Sequence, residues 1–360
     1  MVDLKSLILG KKQFVGLDVG SSSVKLAEIL DTPRGYILDR FFQVSLPKGI
    51  IVDGALVKEN DLTAVIKNLY AMANCKRRKI VTSLSGHSVI VKKVTLPTMD
   101  TSELRELIRD EASKYLPFNN MDDVYYDIQI LGENEFNPTQ VDILLAAAKK
   151  DITESYIQAI ERAGLPVSIV DVDNFALQTM LEENYEFNED DSVAIVNIGA
   201  SITNINVIHK GATVFNRDVI LGGNTVSETL QAKLGVTFEE AEKIKIAGPP
   251  AGDEAAVVAF KEDLLTLTEP ILAEIERSFD FFRSISGVRD LKQVFLSGGC
   301  AKIPGFAEGI SRRIGITTEI VNPFKKIAYN TKVMTSQQIA EIGSIAAVAV
   351  GLALRREGDK

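Results

Sequence analysis

The 360-residue sequence predicts an α/β protein built from two similar lobes that face each other across a cleft. Three observations predict it. The first is Phe14-Val-Gly-Leu-Asp18-Val-Gly20-Ser21-Ser22-Ser-Val-Lys25, which reads as a strand, a Gly/Ser turn and a returning strand. The second is a copy of that design, Ala194-Ile-Val-Asn197-Ile-Gly199-Ala200-Ser201-Ile-Thr203-Asn-Ile-Asn-Val207, in which Gly199 matches Gly20 and Asn197 matches Asp18. The third is a strand ending in two glycines, Val294-Phe-Leu-Ser-Gly298-Gly299, with Ile303 and a helix start near Phe306 beyond it. Singly, each is ordinary: Gly-Ser hairpins and Gly-Gly turns are common. Together they describe an internal duplication, with a phosphate cradle on each side of a cleft and a flat floor for a base.

The chemistry follows from the residue types. Consecutive backbone N–H groups in a tight turn form an anion-binding concavity. Gly20 lets a phosphate approach the main chain, the Ser hydroxyls add donors and Lys25 adds a point charge. Asp18 is placed to hold Mg²⁺ through water. The chain has no G-x-x-x-x-G-K-[ST], so this is not a Walker loop.

Composition narrows the function classes. Apolar residues make up 46% of the chain, enough for two cores at ~150 residues per domain. A net charge of −9 argues against a nucleic-acid binder. The basic run Lys76-Arg77-Arg78-Lys79 reads as a solvated turn. Cys75 and Cys300, the two cysteines, form no disulfide framework or zinc pattern, and suit a reducing cytoplasm. His87 and His209, the two histidines, stand without a supporting cluster, against a His-based triad or metal site. Met1–Gly10 does not read as a signal peptide, and Ile342–Leu354 is too short to span a membrane, so no direct membrane insertion is expected.

In order along the chain, strands are expected over 14–19, 23–30 and Tyr36–Leu46, then a helix from Asp61 through Met72 with Asp61 as its cap, and a strand over Ile80–Leu84. Three antiparallel strands, a helix and a strand open a ribonuclease-H-like domain. Residues 86–165 depart from that alternation and read β-α-β-β-α, an inserted subdomain. Within it Asp100 and Glu103 have capping-box spacing, Pro117 stops a helix, Gly132–Pro138 is a polar loop, and Asp151–Ala163 is the last helix. A strand over Val167–Val172 precedes a helix capped by Asp173 or Asn174. The second lobe repeats the pattern with a third strand over Val214–Val219, a helix opened by Gly222-Gly223, and a helix over Phe238–Ile246 capped by Thr237. On spacing alone, Glu239 and Lys243 are an ordinary pair on a helix face. Asp253–Ile285 is mostly helical, kinked or divided at Pro270, and Ile339–Leu354 is a final Ala/Gly-rich helix. The expected division is lobe 1 (1A) over 1–85, 166–190 and 336–360, the insertion (1C) over 86–165, lobe 2 (2A) over 191–250 and 292–335, and a helical subdomain (2B) over 251–291.

The order Asp18-Val-Gly20-Ser, Asn197-Ile-Gly199, Gly298-Gly299 and a final Ala/Gly-rich helix resembles the actin/Hsp70/sugar-kinase superfamily over nearly the whole chain. Leu96-Pro97, Glu103-Leu104, Ile108, Glu111-Ala112, Tyr115-Leu116-Pro117-Phe118 and Val124-Tyr125-Tyr126-Asp127 resemble the PilM family of type IV pilus assembly proteins. The placement of the insertion resembles that of the division protein FtsA. The resemblance implies an actin-like fold: two ribonuclease-H-like lobes with an FtsA-type subdomain on the first. It implies ATP and Mg²⁺ in the cleft. It also implies a cytoplasmic place at the inner face of the inner membrane, in the platform that serves twitching motility. There the PilN N-terminal tail would sit in a groove between 1A and 1C, among other platform and motor proteins; homo-oligomerisation is left open. By motif, Gly20, Ser21, Ser22 and Lys25 would take phosphates from one side and Gly199, Ala200 and Ser201 from the other. Gly298, Gly299 and Ile303 would pack near adenine, and Glu239 and Lys243 would reach the ribose.

The second hairpin departs from the superfamily. Asn197 stands where hydrolysing members carry Asp, and Ala200 where a second Gly is usual. A neutral amide is no carboxylate base. Losing ~2–4 kcal/mol of transition-state stabilisation slows turnover roughly 30- to 1000-fold. The expectation is an adaptor that holds ATP and turns it over slowly or not at all, with no confident catalytic residue. The alternatives are an FtsA-like filament-forming ATPase and a small-molecule kinase of the same superfamily.

Overall fold

The computed structural model describes residues 14–118, 120–134, 136–188, 190–247, 260, 263–286 and 290–356. The first lobe opens with β1 (Val15–Val19), β2 (Ser23–Thr32) and β3 (Gly35–Ser45), each antiparallel to its predecessor. A small hairpin, β4 (Ile51–Val52) and β5 (Ala55–Leu56), leads into α1 (Glu59–Ala73), and β6 (Ile80–Leu84) returns parallel to β1. The insertion follows as β7 (Val89–Pro97), α2 (Thr101–Tyr115), β8 (Val124–Asn134) and β9 (Asn137–Lys149). The chain rejoins the first lobe through α3 (Lys150–Arg162), β10 (Val167–Val172) and α4 (Asp173–Asn184).

The second lobe contains β11 (Ser192–Ile198), β12 (Thr203–His209), β13 (Ala212–Val219), α5 (Gly223–Leu234), α6 (Phe238–Ala247), α7 (Glu269–Ile285), β14 (Gln293–Ser297), α8 (Phe306–Ile314) and β15 (Thr318–Ile320). The chain ends with β16 (Ala328–Tyr329), α9 (Ser336–Ile342) and α10 (Ala347–Leu354).

The duplication is explicit in the sheets. The first runs β10-β6-β1-β2-β3-β16 and the second β13-β12-β11-β14-β15. Apart from β16, both have three antiparallel strands in chain order followed by two parallel ones on the far side of the first strand. The insertion is a separate sheet of order β7-β9-β8.

Packing explains the helix patterns. Leu62, Ile66, Leu69 and Ala73 of α1 are fully buried at helical spacing against the first sheet. Burying each of the Leu and Ile side chains contributes roughly 1.5–3 kcal/mol. α4 and α10 lie between the two sheets in one core that also takes in Phe14, Ile195 and Phe295. The Ala/Gly content of α10 follows from that position. A Cβ on Gly351 would sit 1.8 Å from Ala176 O of α4, and one on Gly16 2.2 Å from Ala349 O of α10, so only glycines permit this approach.

The structure revises several local expectations. Lys58, not Asp61, occupies the cap position of α1, and Asp61 instead sits in the first turn, where a negative charge suits the helix dipole. Asp173 is the first residue of α4 and makes no cap bond. The strands of the insertion extend to Asn134 and resume at Asn137, so most of the expected loop is strand. Pro270 stands at the start of α7, where its missing N–H costs nothing, and the expected helical stretch over 253–259 lies outside the described residues. The final helix is two, α9 and α10, bent by 89° around a 3₁₀ turn over Gly343–Ile345. Among the described residues no single helix is long and apolar enough to cross a membrane. α3, read from sequence as part of the insertion, buries Tyr156, Ala159 and Ile160 in the first-lobe core, and Thr63 Oγ1 of α1 donates to its Ala159 O. The expected Asp100/Glu103 capping box forms, and Thr237 caps α6 as expected, with Glu240 completing a box there.

Candidate functional site

The hairpins β1–β2 and β11–β12 occupy the same place in their sheets, so their turns meet across the lobe boundary. Each turn is closed by the same bond: Gly20 N to Ser23 O at 3.1 Å and Gly199 N to Ile202 O at 2.9 Å. Between them lies a cleft of ≈ 360 Å³. The first hairpin lines it with Asp18, Gly20, Ser21, Ser22 and Lys25, the second with Asn197, Gly199 and Ala200, and the end of β14 with Gly298 and Gly299.

Four residues singled out from sequence fall outside the lining. Ser201 Oγ accepts from Asn224 Nδ2 at 3.0 Å, and Ile303 is buried in the second-lobe core. On α6 the cleft-lining residues are Glu242, Lys245 and Ile246 rather than Glu239 and Lys243. Lys245 is buried, with Nζ 2.6 Å from Glu242 Oε1 and 3.2 Å from Gly223 O, and Ser227 Oγ donates to the same carboxylate. Lys245 follows Ala241 by four residues and shares its helix face, a face that only the fold shows to be the buried one.

Asp18 and Lys25 sit directly opposite in the β1–β2 register, with Nζ 2.8 Å from Oδ2. Sequence reasoning missed Asp173 as a cleft residue because it stood where a helix cap was expected. Its carboxylate lies in the cleft and accepts from Ser83 Oγ at 2.5 Å. Burial, with the nearby charge of Asp18, pushes it up to about 7.

Asn197 belongs to a buried polar chain. Its Nδ2 donates to Asn204 Oδ1 at 2.9 Å, and Asn204 Nδ2 donates to Asp218 Oδ1 at 2.9 Å. Asp218 also accepts from Asn174 Nδ2 at 3.0 Å and Gly86 N at 2.6 Å, so one carboxylate ties the second lobe to α4 and to the root of the insertion. Burial raises the Asp218 carboxyl and these donors oppose the rise.

The residues present fit a nucleotide. Gly298 has φ +91°, and a Cβ there would sit 2.3 Å from Ile198 O, so glycine alone lets the end of β14 lie flat against β11. Gly299 has nothing within 4 Å of a Cβ position, which leaves open space above that floor. Among the described residues no three His, Cys, Asp or Glu side chains form a metal cage. Mg²⁺ keeps several waters and is held by one or two carboxylates plus phosphate oxygens, and Asp18 and Asp173, with Glu242 across the cleft, are carboxylates that line it.

A second concavity of ≈ 560 Å³ lies between the insertion and the first lobe. β8 and β9 of the insertion form one wall; β10, α4 and Arg355 form the other. Arg355 is locked to Asp171 of β10 by a two-pronged pair at 2.6 and 3.1 Å.

Two lobes of one topology, sharing two helices and meeting at paired hairpins, define an actin-like ATPase fold. Within that fold the chain belongs to the type IV pilus assembly protein PilM family, whose sequence model matches residues 16–357. It is similar to the solved PilM-PilN type IV pilus biogenesis complex, with a TM-score of 0.84 and 28% identity, covering 96% of this chain and 98% of that one. It shares its fold with the ethanolamine utilization protein EutJ from Carboxydothermus hydrogenoformans, at a TM-score of 0.55 and 17% identity over 96% and 90% of the two chains. Among curated proteins it is 23% identical to cell division protein FtsA of Enterococcus hirae, over 94% of this chain and 86% of that protein.

Proposed function

We propose that this chain is a nucleotide-clamped adaptor of the type IV pilus platform. It holds Mg²⁺·ATP in the cleft and takes the N-terminal cytoplasmic tail of PilN into the groove between the first lobe and the insertion. That places it peripherally at the inner membrane through its partner. The observation that carries the reading is the groove itself, in a chain that matches the solved PilM-PilN complex along almost its whole length.

In the cleft, the N–H groups and hydroxyls of the Gly20–Ser22 turn and the Lys25 ammonium are the donors for phosphate oxygens, with the Gly199–Ala200 turn opposite. Glu242 and Lys245 stand where a ribose would lie, and Gly298 and Gly299 under the base. Mg²⁺ neutralises phosphate charge when bound. Asn197 holds no negative charge and its amide is committed to Asn204. Asp173, a carboxylate of the cleft, is tied to Ser83 Oγ, so it is not free to orient an attacking water. These features support tight holding with slow or no hydrolysis. Bound ATP then favours the closed arrangement in proportion to its preference for it.

The test is a titration of the cognate PilN tail peptide into the chain with and without Mg²⁺·ATP. Saturable one-to-one binding that strengthens with ATP is expected. Absence of binding in both conditions overturns the adaptor reading. An efficient small-molecule phosphoryl acceptor would favour a kinase, and ATP-dependent pelleting a filament former.

A further inference from the structure

We infer that the partner segment enters the groove in extended form, as a fourth strand laid along the open edge of β8. The inference rests on the adaptor reading above and specifies how that site grips its peptide. Among the described residues the sheet β7-β9-β8 has two edges, and they are unlike. β7 carries exposed Lys92 and Lys93 and ends in Pro97, devices that blunt an edge against pairing. β8 presents Tyr125, Tyr126, Ile128, Ile130 and Leu131, with Tyr125 45% and Ile130 40% exposed. It runs for 11 residues, long for an unprotected edge.

The lining of the groove points to the edge and not to a face. Four consecutive β8 residues, Asp127 to Ile130, line it. A sheet face presents alternate residues, whereas an edge presents consecutive ones. Beyond the same edge lies a second cavity of ≈ 290 Å³, between β8 and Arg105, Glu106, Ile108 and Arg109 of α2. Both cavities include Arg105, Asp127 and Ile128, so they meet along β8. A strand added there sends alternate side chains to opposite sides. One set lies over Leu144 and Ala146 and against Ile169 and Phe175 of the first lobe, which suits apolar groups. The other set lies beside Arg105 and Arg109, which suits polar or acidic ones.

The second strand in the groove wall, β10, is also an edge, but one of its N–H groups is capped by a buried ion pair. Its Val172 N donates to Asp171 Oδ1 at 2.8 Å, and that carboxylate is held by Arg355 with side chains only 7% and 14% exposed. β8 has the same plug in a loose version. Ile128 N donates to Asp127 Oδ1 at 2.8 Å, but the Asp127–Arg105 pair is 76% and 58% exposed. Exposed pairs contribute little, so an incoming carbonyl displaces this one at small cost. Main-chain pairing then supplies affinity, and the two cavities supply side-chain selection.

The experiment is a backbone N-methyl scan of the cognate PilN tail peptide, with affinities measured against the full chain by fluorescence anisotropy. Methylation at every second residue of the bound core is expected to weaken binding about tenfold, the loss of one hydrogen bond. The intervening residues should change less than about threefold. Uniform tolerance or uniform loss overturns strand addition while leaving the adaptor reading standing. No binding by the unmodified peptide removes both. In parallel, amide exchange along β8 should slow on peptide binding; slowing confined to β10 would place the peptide on the wrong edge and overturn the inference.

Discussion

Replacing Lys25 by methionine probes the cleft at its charge centre. Lys25 Nζ lies 2.8 Å from Asp18 Oδ2, with side chains 14% and 11% exposed. Methionine keeps the apolar stem and removes the ammonium. The first consequence is on stability, because the nearly buried Asp18 carboxylate loses its partner. Breaking a buried pair from one side costs about 3–5 kcal/mol, and the residual contact with water places this case near 3 kcal/mol. The second consequence is on nucleotide affinity. Loss of one charge-assisted bond to phosphate, about 1.5–3 kcal/mol, weakens Mg²⁺·ATP binding roughly 10- to 150-fold. The two effects separate in the double variant Asp18→Asn/Lys25→Met. It removes both charges, so it should recover most of the lost stability while affinity stays low. Calorimetric titration with Mg²⁺·ATP and urea denaturation of the wild type and the two variants measure the two effects. Wild-type affinity in Lys25→Met would refute the phosphate role of this hairpin. A double variant no more stable than Lys25→Met would refute the ion-pair explanation of the stability loss.

Other expectations follow from the same geometry. Asp173 keeps its proton up to about 7 in the folded state and releases it near 3.8 when unfolded, so between these values folding binds a proton and stability falls as pH rises. Asp173→Asn should flatten that slope and gain on wild type by up to the order of 4 kcal/mol at pH 8; an unchanged slope in pH-dependent denaturation would contradict the assignment. Gly351→Ala places a Cβ 1.8 Å from Ala176 O and should cost more than about 3 kcal/mol, read as loss of soluble protein or of denaturation midpoint; near-wild-type stability would contradict the packing of α10 on α4. Asn197→Asp should raise ATP turnover at least about tenfold, measured as phosphate released. It should also cost roughly 1–3 kcal/mol of stability, because Asn204 must then turn its amide away from Asp218.

The sequence made the duplicated lobes legible because both hairpins carry the same local code: alternating apolar residues, a glycine, then hydroxyls. Strand edges such as Ile80–Leu84 are printed in composition. The inserted segment was visible as a break in alternation, but not its end. α3 has the amphipathic pattern of any surface helix, and only the position of α1 decides which core receives it. The bend between α9 and α10 lies in a run of small residues with no proline to mark it. The cleft residues on the hairpins were readable because backbone turns determine them. Glu242, Lys245 and Asp173 were not, because their role depends on which face of α6 and which end of α4 the second lobe turns toward the first. Asp218 gave no signal at all: a lone acid at a strand end becomes a junction only when Asn174, Asn204 and Gly86 converge on it.

The most direct measurement incubates the wild-type chain with radiolabelled Mg²⁺·ATP, separates bound from free nucleotide, and identifies what was bound after an hour. One ATP per chain, recovered intact, is the predicted result. An empty chain, or a sample converted to ADP through many turnovers, would contradict a cleft that grips a triphosphate without efficiently cutting it.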